Sequence, residues 1–462
     1  MDKALDKKIF YILILSFLPL LFTFNGLVTN KIYILNLIIL NISIYYFARK
    51  LNASSLYVLI SIVMLQNLFL VVFSSVMPSS IMNMYILSKE VFVIIMVIYA
   101  FVRHKRNINV LDLLVAFLAI VILYSFVTSD ANIKAKLANA RQIIIPIVLF
   151  YFGYMIKVKD NYINDIYKFI IKLGMIAFII GFIQFLIGEK LFDYIDVTSF
   201  YANKGLAGWI SNGKYPVSFV AWDLHQIFGA YIIRFLSVFY EALTAGHIMA
   251  LCFVISIFED SIYDGNNMKR GIYSILFLLG VLLTFSKGAY LVVLVAILFK
   301  VYTLIKSKRA FYSLLSLSLV VICSLVFVLW DKVISIQMHA KGFINNILSA
   351  RLFSGEGLGN IGVYANAFAE NNKSHGESLM GNLSGQFGII IMIAYLLIII
   401  IMIYSNVISR KTSKIIPIIL VVSVLLEMFL SESSVAFLST GLYFVISGLC
   451  SDIDKINIIN FR

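Results

Sequence analysis

GIIIMIAYLLIIIIMIY, residues 388–404, contains no charged side chain, and SRKTSK, residues 409–414, follows after SNVI. Coiled as a helix, the apolar run spans most of the roughly 30 Å of hydrocarbon in a bilayer, and the basic turn is of the kind retained on the cytoplasmic side. The same alternation recurs from end to end. With 61% hydrophobic residues, 13% charged residues and a mean hydropathy of +0.98, a soluble domain of 462 residues is excluded, because it could not cover so much apolar surface. The ten-residue alternation of outer-membrane strands is missing. The expected class is an all-α integral membrane protein.

Hydropathy places spans near 9–25, 31–47, 56–76, 83–102, 110–127, 141–156, 167–187, 238–258, 271–285, 288–305, 312–330, 388–405, 415–431 and 434–450. That is about 14 transmembrane helices in a single polytopic domain, 1–462. The first, from Ile9, follows Lys3, Lys7 and Lys8 but is long and lacks a small-residue cleavage site, so it reads as a retained helix. Arg49-Lys50, RHKRN (103–107), KVKDN (157–161), Lys269-Arg270, KSKR (306–309) and SRKTSK all fall on one side, whereas 26–30 and 77–82 carry no charge. The positive-inside rule then puts both termini in the cytoplasm.

A net charge of +14 and a pI near 9.4 raise nucleic acid as a partner, but the basic residues stand at membrane edges. Loop retention and contact with anionic membrane lipid account for them there, so nucleic-acid binding is not expected. Cys252, Cys323 and Cys450 lie in apolar segments and read as core residues, with neither a disulfide framework nor a metal cluster. No internal repeat and no GxxxxGK[ST] loop is present, so nucleotide binding is not expected.

This topology leaves two long extracytoplasmic loops, 188–234 and 331–387. The first holds Trp209 and Trp222 among several Tyr and Phe, Trp330 stands just before the second, and both loops read as ordered. Four places on that side carry groups that hydropathy alone does not call for. In RFLSVFYE, Arg234 and Glu241 are seven residues apart, nearly two helical turns, which puts both on one helix face; Arg234 is either an interfacial cation that snorkels to headgroups or an anion ligand. In TFSKGAY (284–290), Lys287 interrupts an apolar run and Gly288 permits a turn; a snorkelling lysine is the plain alternative.

Arg351 precedes SGEGLGN (354–360), where Gly355, Gly357 and Gly359 alternate. Exposed amides in such a backbone, and a nearby guanidinium, suit phosphate oxygens, although glycine-rich outer loops are common. His375, in NNKSHGESL, is either a surface residue or a general base, since imidazole titrates near neutrality.

R-x-x-S-x-F-x-E (234–241), then T-F-S-K-G (284–288), then R-L-F-S-G-E-G-L-G-N (351–360), then H-x-x-S-L (375–379) followed by Q-F-G-I-I (386–390), in that order, resembles the O-antigen polymerase and O-antigen ligase family. The likeness covers the second half of the chain, Arg234 to Ile390. It departs from the family pattern at Lys287, where arginine is common, at Gly376 after the histidine, and at Ala242-Leu243 after the glutamate.

The resemblance implies a glycosyltransferase of the bacterial inner membrane that takes a glycan from undecaprenyl pyrophosphate and transfers it to a hydroxyl of another glycan. Arg234, Lys287 and Arg351 would hold the leaving pyrophosphate, His375 would act as catalytic base, and Glu241, Gly357 and Gly359 would contact substrate. The pyrophosphate is already activated, so no cofactor or metal is implied. A chain-length regulator and a flippase are the implied protein partners. Tyr201, Trp209, Tyr215 and Trp222 suit either sugar stacking or a membrane-interface belt. Polymerisation of repeat units is the first expectation; ligation of the glycan to lipid A core or another surface acceptor is the alternative within the same chemistry. A transporter of lipid-linked glycan is the alternative of another class, and it calls for charges near the bilayer midplane.

Overall fold

A computed structural model describes residues 53–72, 74–75, 77–103, 108–156, 160–204, 210–211, 215–229, 231–263, 265–305, 307, 309, 316, 334–363, 365, 377–409, 411 and 414–456. In chain order its helices are α1 (Ala53–Val72), α2 (Ser79–Arg103), α3 (Val110–Thr128), α4 (Ile133–Met155), α5 (Asp160–Ile187), α6 (Glu189–Ile195), α7 (Val197–Asn203), α8 (Trp222–Phe228), α9 (Ala242–Phe258), α10 (Asn267–Thr284), α11 (Lys287–Leu304), α12 (Ile334–Ser349), α13 (Leu379–Phe387), α14 (Ile389–Val407), α15 (Ile415–Glu427) and α16 (Gly441–Cys450). A two-residue antiparallel pairing, β1 (Ile210–Ser211) with β2 (Tyr215–Pro216), precedes α8.

Among the described residues the fold is helical, and seven helices, α1 to α5, α11 and α14, are long and apolar enough to cross a membrane. The shorter α9, α15 and α16 are also apolar, and α10 has 18 residues but opens on Lys269 and Arg270. The expected spans at 9–25, 31–47 and 312–330 lie outside the described residues. A multi-pass membrane protein follows from how these helices expose themselves. On α14, Ile393, Leu397, Ile400, Tyr404 and Val407 recur every three or four residues and are exposed, while Ala394, Tyr395, Ile398 and Met402 are buried. An apolar stripe of that length on the outside of a helix has hydrocarbon, not water, as its solvent.

The residues form two compact units interleaved along the chain, where the sequence suggests one domain. The first contains α1, α2, α5, α6, α7, α9, α10 and the β pairing; the second contains α3, α4 and α11 to α16. In the first unit α9 is buried almost all round, from Ala242 to Ser256, and carries buried Cys252; α10 and α5 pack on it. Residues 188–234 are folded: Phe192, Phe200, Tyr201 and Phe219 bury themselves with Leu70, Met82 and Tyr85 at the ends of α1 and α2. In the second unit α4 and α16 cross backbone to backbone. A Cβ on Gly153 would collide with the Val445 carbonyl, and one on Gly448 with the Phe150 carbonyl, so glycine at both positions permits the approach.

Helix C-termini leave carbonyls with no intrahelical donor, and at a membrane edge an unmet carbonyl is costly. Five helices meet this need with a cation from elsewhere in the same unit. Lys136 donates to Phe126 O at 3.1 Å and to Ser129 O at the end of α3. Arg270 donates to Ser256 O at 3.1 Å and to Ile257 O at the end of α9, and pairs with Asp260. Arg234 caps α10, Lys414 reaches Val407 O and Ser409 O after α14, and Lys411 reaches Leu449 O in α16. Each pairing also sets positive charge against the negative end of a helix dipole.

Arg270→Met keeps the aliphatic stem and removes the donors. It is expected to lower unfolding free energy by about 2 kcal/mol, read by denaturant titration of the detergent-solubilised full chain.

Candidate functional site

Arg234 and Glu241 belong to the first unit, and their expected helical spacing is not what relates them. The backbone between them is a 3-10 turn at Ser237–Phe239, with Ser237 and Tyr240 left-handed at φ 57° and 49°, and the helix begins only at Ala242. Glu241 is the residue that caps α9, its carboxylate accepting from Thr244 Oγ1 at 2.7 Å. Arg234 donates through Nε to Thr284 O at 2.6 Å, through Nη2 to Phe285 O at 3.3 Å and through Nη1 to Ser218 O at 3.2 Å. Both side chains nevertheless act on one group, the Tyr201 hydroxyl. Burial pushes that hydroxyl far above the ordinary tyrosine range, the Glu241 carboxylate pushes the same way, and Ser218 and Arg234 oppose them.

Tyr201 itself is core, with its hydroxyl on Tyr240 O at 2.8 Å, so its ring is no platform for a sugar. Trp222 is half-buried against Tyr231 with ring centres 6.0 Å apart. Trp209 and the Tyr215 side chain lie outside the described residues.

Lys287 opens α11 in the second unit and is exposed. The turn expected here exists, but Phe285, not Gly288, takes the left-handed conformation, at φ 50°. Gly288 serves a close approach instead. The buried Glu427 carboxylate lies against it, where a Cβ would come 2.9 Å from Oε2 and collide outright with Oε1. An anion packed at a helix N-terminus is favourably placed.

Residues 351–363 form a strap docked on the second unit, and the backbone amides of its glycine-rich part are already occupied. Glu356 N donates to Gly385 O at 2.8 Å, Gly357 N to Gln386 O at 3.0 Å, Leu358 N to Ser125 Oγ at 2.8 Å and Gly359 N to Gln386 Oε1 at 3.2 Å. Leu358 O in turn accepts from Ser129 Oγ at 2.8 Å. Gly357 and Gly359 are left-handed, at φ 91° and 87°, and a Cβ on either would press on Ser129 or on the start of α4. These amides are spent on protein acceptors rather than offered to phosphate, because the strap is a folded edge and not an open loop. Arg351 heads the strap with an exposed side chain, its carbonyl fixed by Ile389 N at 3.1 Å.

Beneath the strap runs a layer of amide side chains that the sequence reading passed over. The last nine residues of the expected 331–387 loop form α13, buried along its whole length. From α13, Gln386 Nε2 donates to Ile361 O at 2.8 Å and Asn139 Oδ1 at 3.2 Å, while Asn382 Oδ1 accepts from Asn346 Nδ2 at 3.2 Å. Asn382 Nδ2 donates to Glu432 Oε2 at 2.7 Å, and Gln142 donates to the Glu432 carbonyl. Glu432 stands in the turn between α15 and α16 and is 3% exposed. Burial pushes its carboxyl up to about 7, with the bonds from Val363 and Asn382 opposing and Glu377 adding repulsion.

In sequence, Glu432 looks like a solvated turn residue between two spans. The available signal was amide spacing: Asn139 with Gln142, and Asn382 with Gln386, lie three and four residues apart, each pair on a single helix face. His375 lies outside the described residues.

The raised carboxyl carries a sign that can be checked. Folded Glu432 keeps its proton up to about pH 7, whereas the unfolded side chain loses it near 4.5. Stability is therefore fullest below 4.5 and falls as pH rises to about 7, by on the order of 3 kcal/mol. Glu432→Gln is expected to remove that slope and to unfold at higher denaturant than the parent at pH 8. No protein-family model, curated protein or solved structure matches this chain, so function is argued from residues and geometry.

Proposed function

We propose that the chain is a bacterial inner-membrane polymerase with both termini cytoplasmic. It joins undecaprenyl-pyrophosphate-linked repeat units into a surface polysaccharide, O-antigen or capsule, on the outer face of the membrane. The observation that carries this reading is the polar end of the second unit. An otherwise apolar helical bundle there buries a layer of Asn, Gln and a carboxyl under a strap headed by the exposed Arg351, and Arg351 and Gln386 belong to the ordered motifs that resemble the polymerase and ligase family. Such a layer is costly in a membrane protein unless chemistry uses that end of the bundle.

The transfer needs cations on the diphosphate that leaves and a base for the hydroxyl that attacks. Arg234, Lys287 and Arg351 suit the first role and His375 the second. Arg234 is held in place by the carbonyls of Thr284, Phe285 and Ser218, which orders its guanidinium. One observation favours a second reading, a transporter of lipid-linked glycan. Lys89 and Glu90 are buried well inside α2, with Lys89 Nζ on Gln66 Oε1 at 2.7 Å and Ile86 O at 2.8 Å.

The test uses lipid-linked repeat units extracted from cells deleted for this chain, incubated with the purified full-length protein. A ladder of lengths is expected. Transfer only to an added lipid A core identifies a ligase, and movement of labelled lipid across vesicles without new glycosidic bonds identifies a transporter. His375→Ala is expected to abolish the ladder, Arg351→Ala to slow it by about 10- to 100-fold, and Lys287→Arg to keep much of the rate.

A further inference from the structure

Glu432 carries chemistry that its place in the fold does not use. Both hydrogen bonds to its carboxyl end on Oε2, from the Val363 amide at 2.8 Å and from Asn382 Nδ2 at 2.7 Å. Oε1 is buried and accepts no hydrogen bond from the described residues. A glutamine with its carbonyl oxygen in the Oε2 position would keep both bonds and escape the cost of burying an ionisable group. A carboxyl kept against that cost, with one oxygen left over, is suited to exchanging a proton.

Its surroundings fit the same role. Gly362, at φ 105°, lies directly over the carboxyl, and a Cβ there would come 2.9 and 3.0 Å from the two oxygens, so backbone rather than a side chain covers it on that side. The neighbouring layer of Asn346, Asn382 and Gln142 is the composition that recognises hydroxyl-rich ligands. Glu377 ahead of α13 repels its ionised form and stands 3.6 Å from His339 Nδ1 on α12. Glu427 closes α15, Arg141 neighbours Gln142 on α4, and α13 carries no titratable side chain.

We propose that Glu432 is a catalytic acid–base group of the second unit, whose Oε1 accepts the hydrogen of a bound hydroxyl and takes its proton. This rests on the transfer reading above, in which the hydroxyl belongs to the acceptor glycan, and it gives the base role to Glu432 in place of His375, whose imidazole then serves the departing diphosphate. The hydroxyl oxygen bonds to the anomeric carbon of the donor as the bond from that carbon to the diphosphate oxygen breaks. The electron pair leaves with the diphosphate, the proton stays on Glu432, and the carboxyl releases it to water before the next transfer.

Three measurements on the full chain in lipid nanodiscs decide the matter. The infrared carboxyl band of the parent is expected to titrate near pH 7 and to be missing from Glu432→Gln, whose thermal unfolding at pH 8 serves as the folding control. With the extracted lipid-linked repeat units, the parent rate is expected to rise through the same pH, and Glu432→Gln to lose about 100-fold or more while still binding the units. If Glu432→Gln elongates within about threefold of the parent with the same pH profile, the inference is overturned and the polymerase reading stands. If the parent makes no polymer at any pH, the polymerase reading fails, and the infrared titration alone decides whether Glu432 exchanges a proton. A carboxyl band that stays fixed between pH 5 and pH 9 overturns the proposal even if the variant does not fold.

Discussion

The constraint on which this fold depends is the debt of orphan carbonyls at helix ends. A helix that stops at a membrane edge cannot rely on bulk water for its last turn, and glycine caps alone leave the helix dipole unopposed. This chain settles the matter with lysine and arginine. Lys136, Arg234, Arg270, Lys411 and Lys414 each come from a neighbouring segment and close the end of a helix they do not belong to. A residue doing this fixes two elements at once, because its own backbone must be placed for its donors to reach. Part of the +14 net charge is therefore structural. Basic residues of the clusters at 269–270 and 409–414 hold α9, α14 and α16 at their ends.

The second unit faces the opposite problem, polar groups buried among apolar helices. The strap 351–363 and α13 satisfy one another almost amide for amide, which is why a glycine-rich segment can be folded tightly and still be polar. The left-handed glycines allow the turns, and the small volume at 357 and 359 lets Ser129 and α4 approach. In such a network every unmatched atom is expensive. The unmatched oxygen of Glu432 is accordingly more informative than the matched ones around it.

The helices and their order were legible in the sequence because lipid imposes a simple rule: about 20 apolar residues make a crossing. Their polar ends were less so. The α4 span was expected from 141 but begins at Ile133, since Lys134, Lys136 and Arg141 dilute its hydropathy while helical geometry carries on through them. The 234–241 segment was read as a helix because hydropathy cannot see the left-handed residues Ser237 and Tyr240 that break it. Residues 331–387 were read as a loop although they end in the buried α13, whose asparagine and glutamine mimic surface polarity. In each case the missing information was the identity of a hydrogen-bond partner distant in sequence, such as Gln386 with Asn139. A single chain read by composition and period does not contain it.

That distance between charge and partner bears on Arg234, for which a structural and a functional role looked like alternatives. Among its acceptors are the carbonyls of Thr284, Phe285 and Ser218. Capping α10 thus prepays the side-chain entropy that a free arginine would lose on meeting an anion. The left-handed residues on either side of it, Ser237, Tyr240 and Phe285, are the conformational cost of that placement. A cation anchored in this way closes a helix and is already ordered, so its structural duty is compatible with the role proposed for it toward a diphosphate.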